Sequence, residues 1–158
     1  MSTEGIRDLL AAHPFFDGLP ETDIDLIAGC GINVHLSGGQ ILFEEGAPAD
    51  TFYVVRRGRV AIEMHAPQST IVLATHRSGD VVGWSWLFPP HRWAFDARAV
   101  EDTSAIALDG ACLRAKCEDD TDLGYRLMKR FARLATDHLA ATRLQLLDVY
   151  GTPGSTAS

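Results

Sequence analysis

The stretch GGQILFEEGAPADTFYVVRRGRVAI, residues 38–62, decides the fold. It contains a short apolar run, QILFEE, and a longer β-branched and aromatic one that begins TFYVVRRGRVAI. Ser37-Gly38-Gly39 and Gly46-Ala47-Pro48 are turn signals on either side of the first run. Arg57-Gly58 splits the second into two arms of a hairpin. Runs this short, bounded by glycine and proline, predict strands rather than helices. Gly46 and Gly58 fall where the chain needs positive φ or a close backbone approach.

The same texture continues on both sides. INVHL precedes the stretch, and STIVLATHR, DVVGW, AFDARAVE and SAIALDG follow it. Ala66-Pro67-Gln68 and Ser78-Gly79-Asp80 supply the intervening turns. About seven or eight strands at a spacing of about 8–12 residues predict a sandwich or barrel.

Helices flank this β region. Residues 3–12 carry Ile6, Leu9 and Leu10 on one face before Pro14. A second helix begins after Pro20 with Glu21, Asp23 and Asp25, acids suited to the positive end of a helix dipole. Ile24, Leu26 and Ile27 are its core-facing residues. After residue 110 the pattern turns helical again: GACLRAKCEDD is short, and the segment from about residue 121 to 150 is one long helix. The expectation is a single domain over residues 1–150, with a β-roll over about 32–110 and a flexible tail over 151–158.

The long helix has two stripes. Leu123, Leu127, Phe131 and Leu134 form one face. Met128, Ala132, Ala135, Leu139, Thr142, Leu146 and Val149 alternate at spacings of four and three, as in a coiled-coil seam. A helix of roughly 28 residues is about 42 Å long, which exceeds a small barrel. A homodimer through Met128, Ala135, Leu139, Thr142, Leu146 and Val149 is therefore expected.

Bulk chemistry narrows the function. A net charge of −7 argues against a sequence-independent grip on nucleic acid. No run of 18 apolar residues and no signal peptide is present, so no membrane partner and a cytoplasmic location are expected. Cys30, Cys112 and Cys117 form no CxxC pair and read as small reduced side chains. The six histidines sit at no metal-binding spacing, so no metal site is expected. No catalytic arrangement of nucleophile and base or of paired carboxylates stands out, which predicts a protein that is not an enzyme.

Helices, a β-roll, then a short and a long helix is the order found in the cyclic nucleotide-binding domain family. Residues 38–62, with their glycine turns, Asp50, Tyr53 and the Gly58 hairpin, resemble that family's opening. The resemblance implies a mainly β, double-stranded β-helix (jelly-roll) fold with N-terminal helices and a long C-terminal helix. It also implies a phosphate-binding cassette. In the family, this segment carries a glycine, a glutamate that accepts from the ribose hydroxyl, and an arginine that pairs with the cyclic phosphate. VGWSWLFPPHRWAFDA, residues 82–97, falls there. Gly83 matches the glycine, Arg92 the arginine and Ala94 the alanine after it.

Other positions depart from the pattern. Trp84 stands at the glutamate, Ser85 at a usual leucine, and Phe95 where Thr or Ser is frequent. An indole N–H donates and cannot accept from a hydroxyl. The expected ligand-binding set is Gly83, Trp84, Ser85, Arg92, Trp93 and Ala94, with a cyclic nucleotide or another small anion as the ligand and weak binding of cAMP or cGMP. Arg92 has an alternative role, pairing with Asp96, Glu101 or Asp80 to hold the cassette. The tryptophans either pack as core, plug the pocket or wall it. Family regulators carry a helix-turn-helix after the long helix. None is apparent before Ser158, so a sensor half without DNA contact of its own is expected, with a possible protein partner. The alternative is an interaction protein with a closed pocket.

Overall fold

The computed structural model describes the backbone of residues 3–150 and the side chains of residues 5–140. Helices α1 (Thr3–Ala11) and α2 (Glu21–Ala28) lead into strand β1 (Gly31–Leu36). Strands β2 (Ile41–Phe43), β3 (Thr51–Arg57), β4 (Arg59–Ala66), β5 (Ser69–Arg77), β6 (Val81–Val82), β7 (Asp96–Ala99) and β8 (Thr103–Asp109) follow. Helices α3 (Gly110–Asp119) and α4 (Thr121–Tyr150) complete the chain's regular structure. The strands form two four-stranded antiparallel sheets, ordered β1-β8-β3-β6 and β2-β7-β4-β5. This is the jelly roll that the family resemblance implies, and it falls within the sandwich-or-barrel class that the turn spacing predicts.

The turn glycines act as their positions require. Gly58 has φ +96, and a Cβ there would lie 2.6 Å from the Asp102 carbonyl oxygen and 2.4 Å from Thr103 Oγ1. Only glycine lets β3 turn into β4 beneath that loop. The β4–β5 register then runs from Arg59↔Arg77 to Ala66↔Ser69, with a shift between Ile62 and Glu63.

Two apolar clusters fill the interior. Val55, Val60, Ile62, Val82 and Ala97 lie inside the roll. A larger cluster joins the helices to the β1-β8-β3-β6 sheet: Ile6, Leu10, Ile27, Leu113, Leu123, Leu127 and Phe131 surround Phe52 and Trp86. The inner stripe of α4 is thus buried against its own chain, as its spacing predicts. Leu134 is half-buried at the edge of the cluster.

One ion pair anchors α4 to α2. Asp23, 1% exposed, accepts from Arg126 Nε at 2.5 Å and Nη2 at 3.0 Å. Such a two-point guanidinium pair satisfies a carboxylate that burial would otherwise penalise. Arg130 Nη1 adds a 3.1 Å bond to the Phe15 carbonyl.

The expectation of three reduced cysteines is corrected. Cys30 and Cys112 form a disulfide, with Cα atoms 5.8 Å apart and a sequence separation of 82. The fold supplies the proximity: β1 starts beside the end of β8, so the residue before β1 meets the first turn of α3. Only Cys117 is free among the described residues. Met128 and Leu139 of the expected dimer seam are exposed at 43% and 57%, and Ala135 is half-buried. The side chains of Thr142, Leu146 and Val149 lie outside the described residues.

Replacing Arg126 with Ala leaves the Asp23 carboxylate buried and alone. A loss of stability on the order of 3 kcal/mol is expected, measured as a lowered urea midpoint with an unchanged slope.

Candidate functional site

The segment from Gly83 to Phe95 connects β6 to β7 across the mouth of the roll. Its only helical element is one 3-10 turn, Ser85–Leu87, with Trp84 as N-cap. The N–H groups of Leu87, Phe88 and His91 already donate to the carbonyls of Trp84, Ser85 and Phe88. The loop closes through a cis Pro89–Pro90 bond and His91 at φ 55.

From His91 the chain becomes extended and pairs with the Gly46 turn. Ala49 N–H donates to the His91 carbonyl at 2.7 Å, Trp93 N–H to Ala47 at 3.0 Å, and Gly46 N–H to Trp93 at 2.8 Å. Pro48 and Arg92 form an antiparallel bridge. Successive side chains of an extended segment point to opposite faces. Here Trp93 points in and Arg92 points out.

Trp93 is 5% exposed and stacks on Phe43, with centroids 3.7 Å apart and planes 9° from parallel. Its ring also covers Gly83, where a Cβ would lie 2.4 Å from it. Gly83 has φ +95, so both its conformation and the ring above it require glycine. Arg92 is exposed, and its Nη1 donates to the Gly46 carbonyl at 2.8 Å. The acids considered as its partners are engaged elsewhere. Asp96 accepts from Glu45 N–H at 2.7 Å and lies 2.5 Å from His65 Nε2. Glu101 pairs with Arg59 at 2.5 Å, and Asp80 lies 3.6 Å from His76.

The remaining space is a cavity of about 60 Å³ lined by Phe43, Ile62, His76, Gly83, Trp84, Ser85, Trp93, Ala94, Phe95 and His138. Five of the six sequence-derived residues meet here, and Arg92 is not in the lining. Phe43, Ile62, His76 and His138 are lining residues that motif reasoning did not place in the site, while Phe95 stands at the motif's Thr or Ser position. The one signal for Trp93 as the inward residue was its extended neighbourhood, because period-2 alternation forbids Arg92 and Trp93 from facing the same side.

The other two tryptophans differ. Trp86 is fully buried, stacked on Phe52 at 4.6 Å and edge-on to Phe131 at 5.3 Å. Its Nε1 has no hydrogen-bond acceptor among the described residues. Trp84 is half-buried and meets the His138 ring edge-on at 5.1 Å. His138 therefore packs on the cassette.

Titratable groups run from the cavity to the N-terminal helices. Burial, and then the neighbouring His76, hold the His138 pKa below its ordinary value. A hydrogen bond from His76 is the largest influence lowering Asp80, with the Arg77 N–H assisting. His13, near Asp80, is lowered chiefly by burial. Its Nε2 donates to the Val55 carbonyl at 3.1 Å, while Nδ1 accepts from Phe15 N–H at 3.2 Å. That pair of contacts fixes the neutral tautomer, since a proton on Nδ1 would face another donor.

A jelly roll closed by helices, with a short cassette between β6 and β7 and a long helix packed on that cassette, defines a regulatory sensor domain. The family model for the cyclic nucleotide-binding domain matches residues 33–120, more than half of the chain. The chain belongs to that family. It is 27% identical over 153 residues to the CRP-like cAMP-activated global transcriptional regulator of Mycobacterium tuberculosis. That match covers 95% of this chain and 66% of the regulator, so the chain spans just under two thirds of the relative's length. A protein from Geobacter metallireducens GS-15 assigned to cyclic nucleotide binding has a similar crystal structure, at TM-score 0.74 and 26% identity, covering 88% of this chain and 98% of that one. The N-terminal domain of a transcriptional regulator from Streptomyces coelicolor A3(2) is similar at TM-score 0.67 and 25% identity, covering 85% and 94% of the two chains. These relatives are regulatory or nucleotide-binding proteins. Among the described residues, no helix is long and apolar enough to cross a membrane.

The His13 geometry sets a pH dependence. Its folded pKa lies below the ordinary 6.5. Its contribution to stability is therefore complete above pH 6.5 and is lost as pH falls through the folded pKa. Unfolding free energy should decline on going from pH 7.5 to pH 5.5, and the His13 ring resonance should titrate below 6.5 in an NMR series. A His13 titration at or above 6.5 contradicts this.

Proposed function

We propose that the protein is a non-catalytic regulatory module whose cassette binds cAMP and cGMP weakly or not at all. The observation that carries this reading is the Trp93 ring between Phe43 and Gly83, beside a cavity of only about 60 Å³. Ligand pockets usually offer about 300–1,000 Å³. Making room means displacing Trp93 from a buried stack, at about 3–5 kcal/mol, the usual cost of losing a buried tryptophan. A charge-assisted bond from Arg92 to a phosphate returns about 1.5–3 kcal/mol, and the guanidinium must first leave the Gly46 carbonyl. Trp84 also offers no acceptor for a ribose hydroxyl, leaving about 1–3 kcal/mol uncompensated if that hydroxyl is buried. The costs exceed the gain. Any ligand that does enter, whether a cyclic nucleotide or another small anion, meets Gly83, Trp84, Ser85, Trp93 and Ala94, with Arg92 swinging in.

The small cavity equally favours a second reading, an interaction protein that dimerises and docks on a partner protein. The net charge of −7 supports a module that does not hold DNA directly. The proposed compartment is the cytoplasm, supported by the similarity to a transcriptional regulator.

Calorimetry with cAMP and cGMP separates the two readings. The wild type should show a dissociation constant above about 10 μM. Trp93→Ala should bind at least tenfold more tightly if the cassette retains a sensor's site, and Arg92→Ala in that background should remove the gain. Low-micromolar binding by the wild type would overturn the closed-pocket reading. No gain in Trp93→Ala favours the interaction protein.

We also propose a parallel pairing of α4 between two copies through Met128, Ala135 and Leu139, continuing through Thr142, Leu146 and Val149. The exposure of Met128 and Leu139 on a helix otherwise buried along its inner stripe supports it. Light scattering at tens of micromolar should give a dimer for the wild type and a monomer for the Leu139→Glu, Leu146→Glu double variant.

A further inference from the structure

We propose that Cys30 and Cys112 form a reversible thiol–disulfide site whose state sets how firmly the cassette is held. Its co-reactants are a low-molecular-weight disulfide for closure and a dithiol for opening.

Three hydrogen bonds still tether the first turn of α3 when the bridge is open, though less firmly than the covalent link. The Asp109 N–H donates to the Cys30 carbonyl at 2.9 Å, the Gly110 N–H to the Asp50 carbonyl at 2.7 Å, and the Asp109 carboxylate accepts from Cys112 N–H at 3.0 Å. Lys116 Nζ donates to the Leu26 carbonyl at 2.7 Å near the end of α2. The two cysteines therefore stay close when reduced, and the bridge can re-form without refolding.

The bridge is also reachable. Cys30 and Cys112 line an open depression of about 310 Å³ with Gly29, Gly31, Ile32, Thr51, Ala107 and Asp109. Cys112 is half-buried, while Cys30 is 7% exposed. An incoming thiolate attacks the Cys112 sulfur and releases Cys30 as a thiolate. The second thiol of the reductant then resolves the mixed disulfide. Two electrons and two protons pass to the cysteines, and the dithiol leaves as a cyclic disulfide. Closure is the reverse exchange with a small disulfide, which departs as two thiols. Cys117 is pushed up by burial, and Asp120, Asp23 and Glu118 act in the same direction, so it stays a thiol and competes poorly.

The state of the bridge reaches the cassette through the same turn of α3. Gly110 lies so close to Trp86 that a Cβ on it would be 3.0 Å from the Trp86 Cβ. Arg114, one turn later, donates to the Trp86 carbonyl. Loosening α3 thus frees both restraints on the residue that anchors the cassette in the core. Disulfides are uncommon in the reducing cytoplasm and are mostly switches there, which fits a bridge placed between α2 and the cassette's support.

The test compares air-oxidised protein with protein treated with dithiothreitol. In the oxidised form, iodoacetamide should label one cysteine, Cys117, under denaturing conditions. Reduction should raise amide hydrogen exchange in residues 84–94 at least threefold while the β4–β5 hairpin is unchanged. The Cys30→Ser, Cys112→Ser variant should exchange like the reduced wild type with or without dithiothreitol, and Cys117→Ser should keep the full response. Three labelled cysteines in the oxidised protein, or equal cassette exchange in both states of the wild type, would overturn the proposal.

Discussion

The Trp93 ring joins β2, the start of the cassette and the Gly46 turn. It stacks on Phe43 of β2, covers Gly83 at the start of the cassette and sits in the strand-like segment that pairs with the Gly46 turn. Burying an indole of roughly 200 Å² contributes about 5 kcal/mol, comparable to the net stability of a small domain. That burial dictates the side on which Arg92 emerges. It also explains why a charged residue at the family's phosphate-pairing position donates to a neutral turn carbonyl instead of to an anion. In an extended chain the two side chains emerge on opposite faces, so Arg92 reaches the cavity only where this segment leaves that conformation.

The cassette is bound to α4 at two points, each by aromatic contact. Trp86 meets Phe131 in the interior, and Trp84 meets His138 at the cavity rim. A cassette that changed position would have to break one of these contacts or carry α4 with it, since Leu123, Leu127 and Phe131 tie the helix to the same core. The Asp23–Arg126 pair holds the opposite side of α4 to α2. Burial of α4 declines beyond Leu134, where the His138 contact with Trp84 lies beside the exposed Leu139.

Most of the fold was legible because its signals are local. Each turn glycine between residues 38 and 79 falls between two strands, and the change to helical periodicity near residue 110 coincides with the start of α3. The inner stripe of α4 read correctly because four apolar residues at helical spacing can serve only one face. What escaped the sequence was long-range. Cys30 and Cys112 stand 82 residues apart, and only the β1–β8 pairing brings them together. His138 reads as a polar residue on an outer face until the cassette is built beside it. The site was half legible. Motif matching found the segment and its glycine, but a one-letter match to arginine carries no information about which way the side chain points.

Taken with the bridge between α2 and α3, these contacts give the cassette three supports: Trp93 in the roll, Trp86 over Gly110, and Trp84 against α4. On the reading proposed here, side chains link roll, cassette and long helix, so the coupled architecture survives without an occupant. Control then has to act on the supports rather than on the cavity. Two of them end near groups whose chemistry changes under mild conditions: the Cys30–Cys112 pair behind Gly110 and His138 beside Trp84. Trp93, between a phenyl ring and a glycine, has no such neighbour in its stack. It is the support that stays fixed while the others respond.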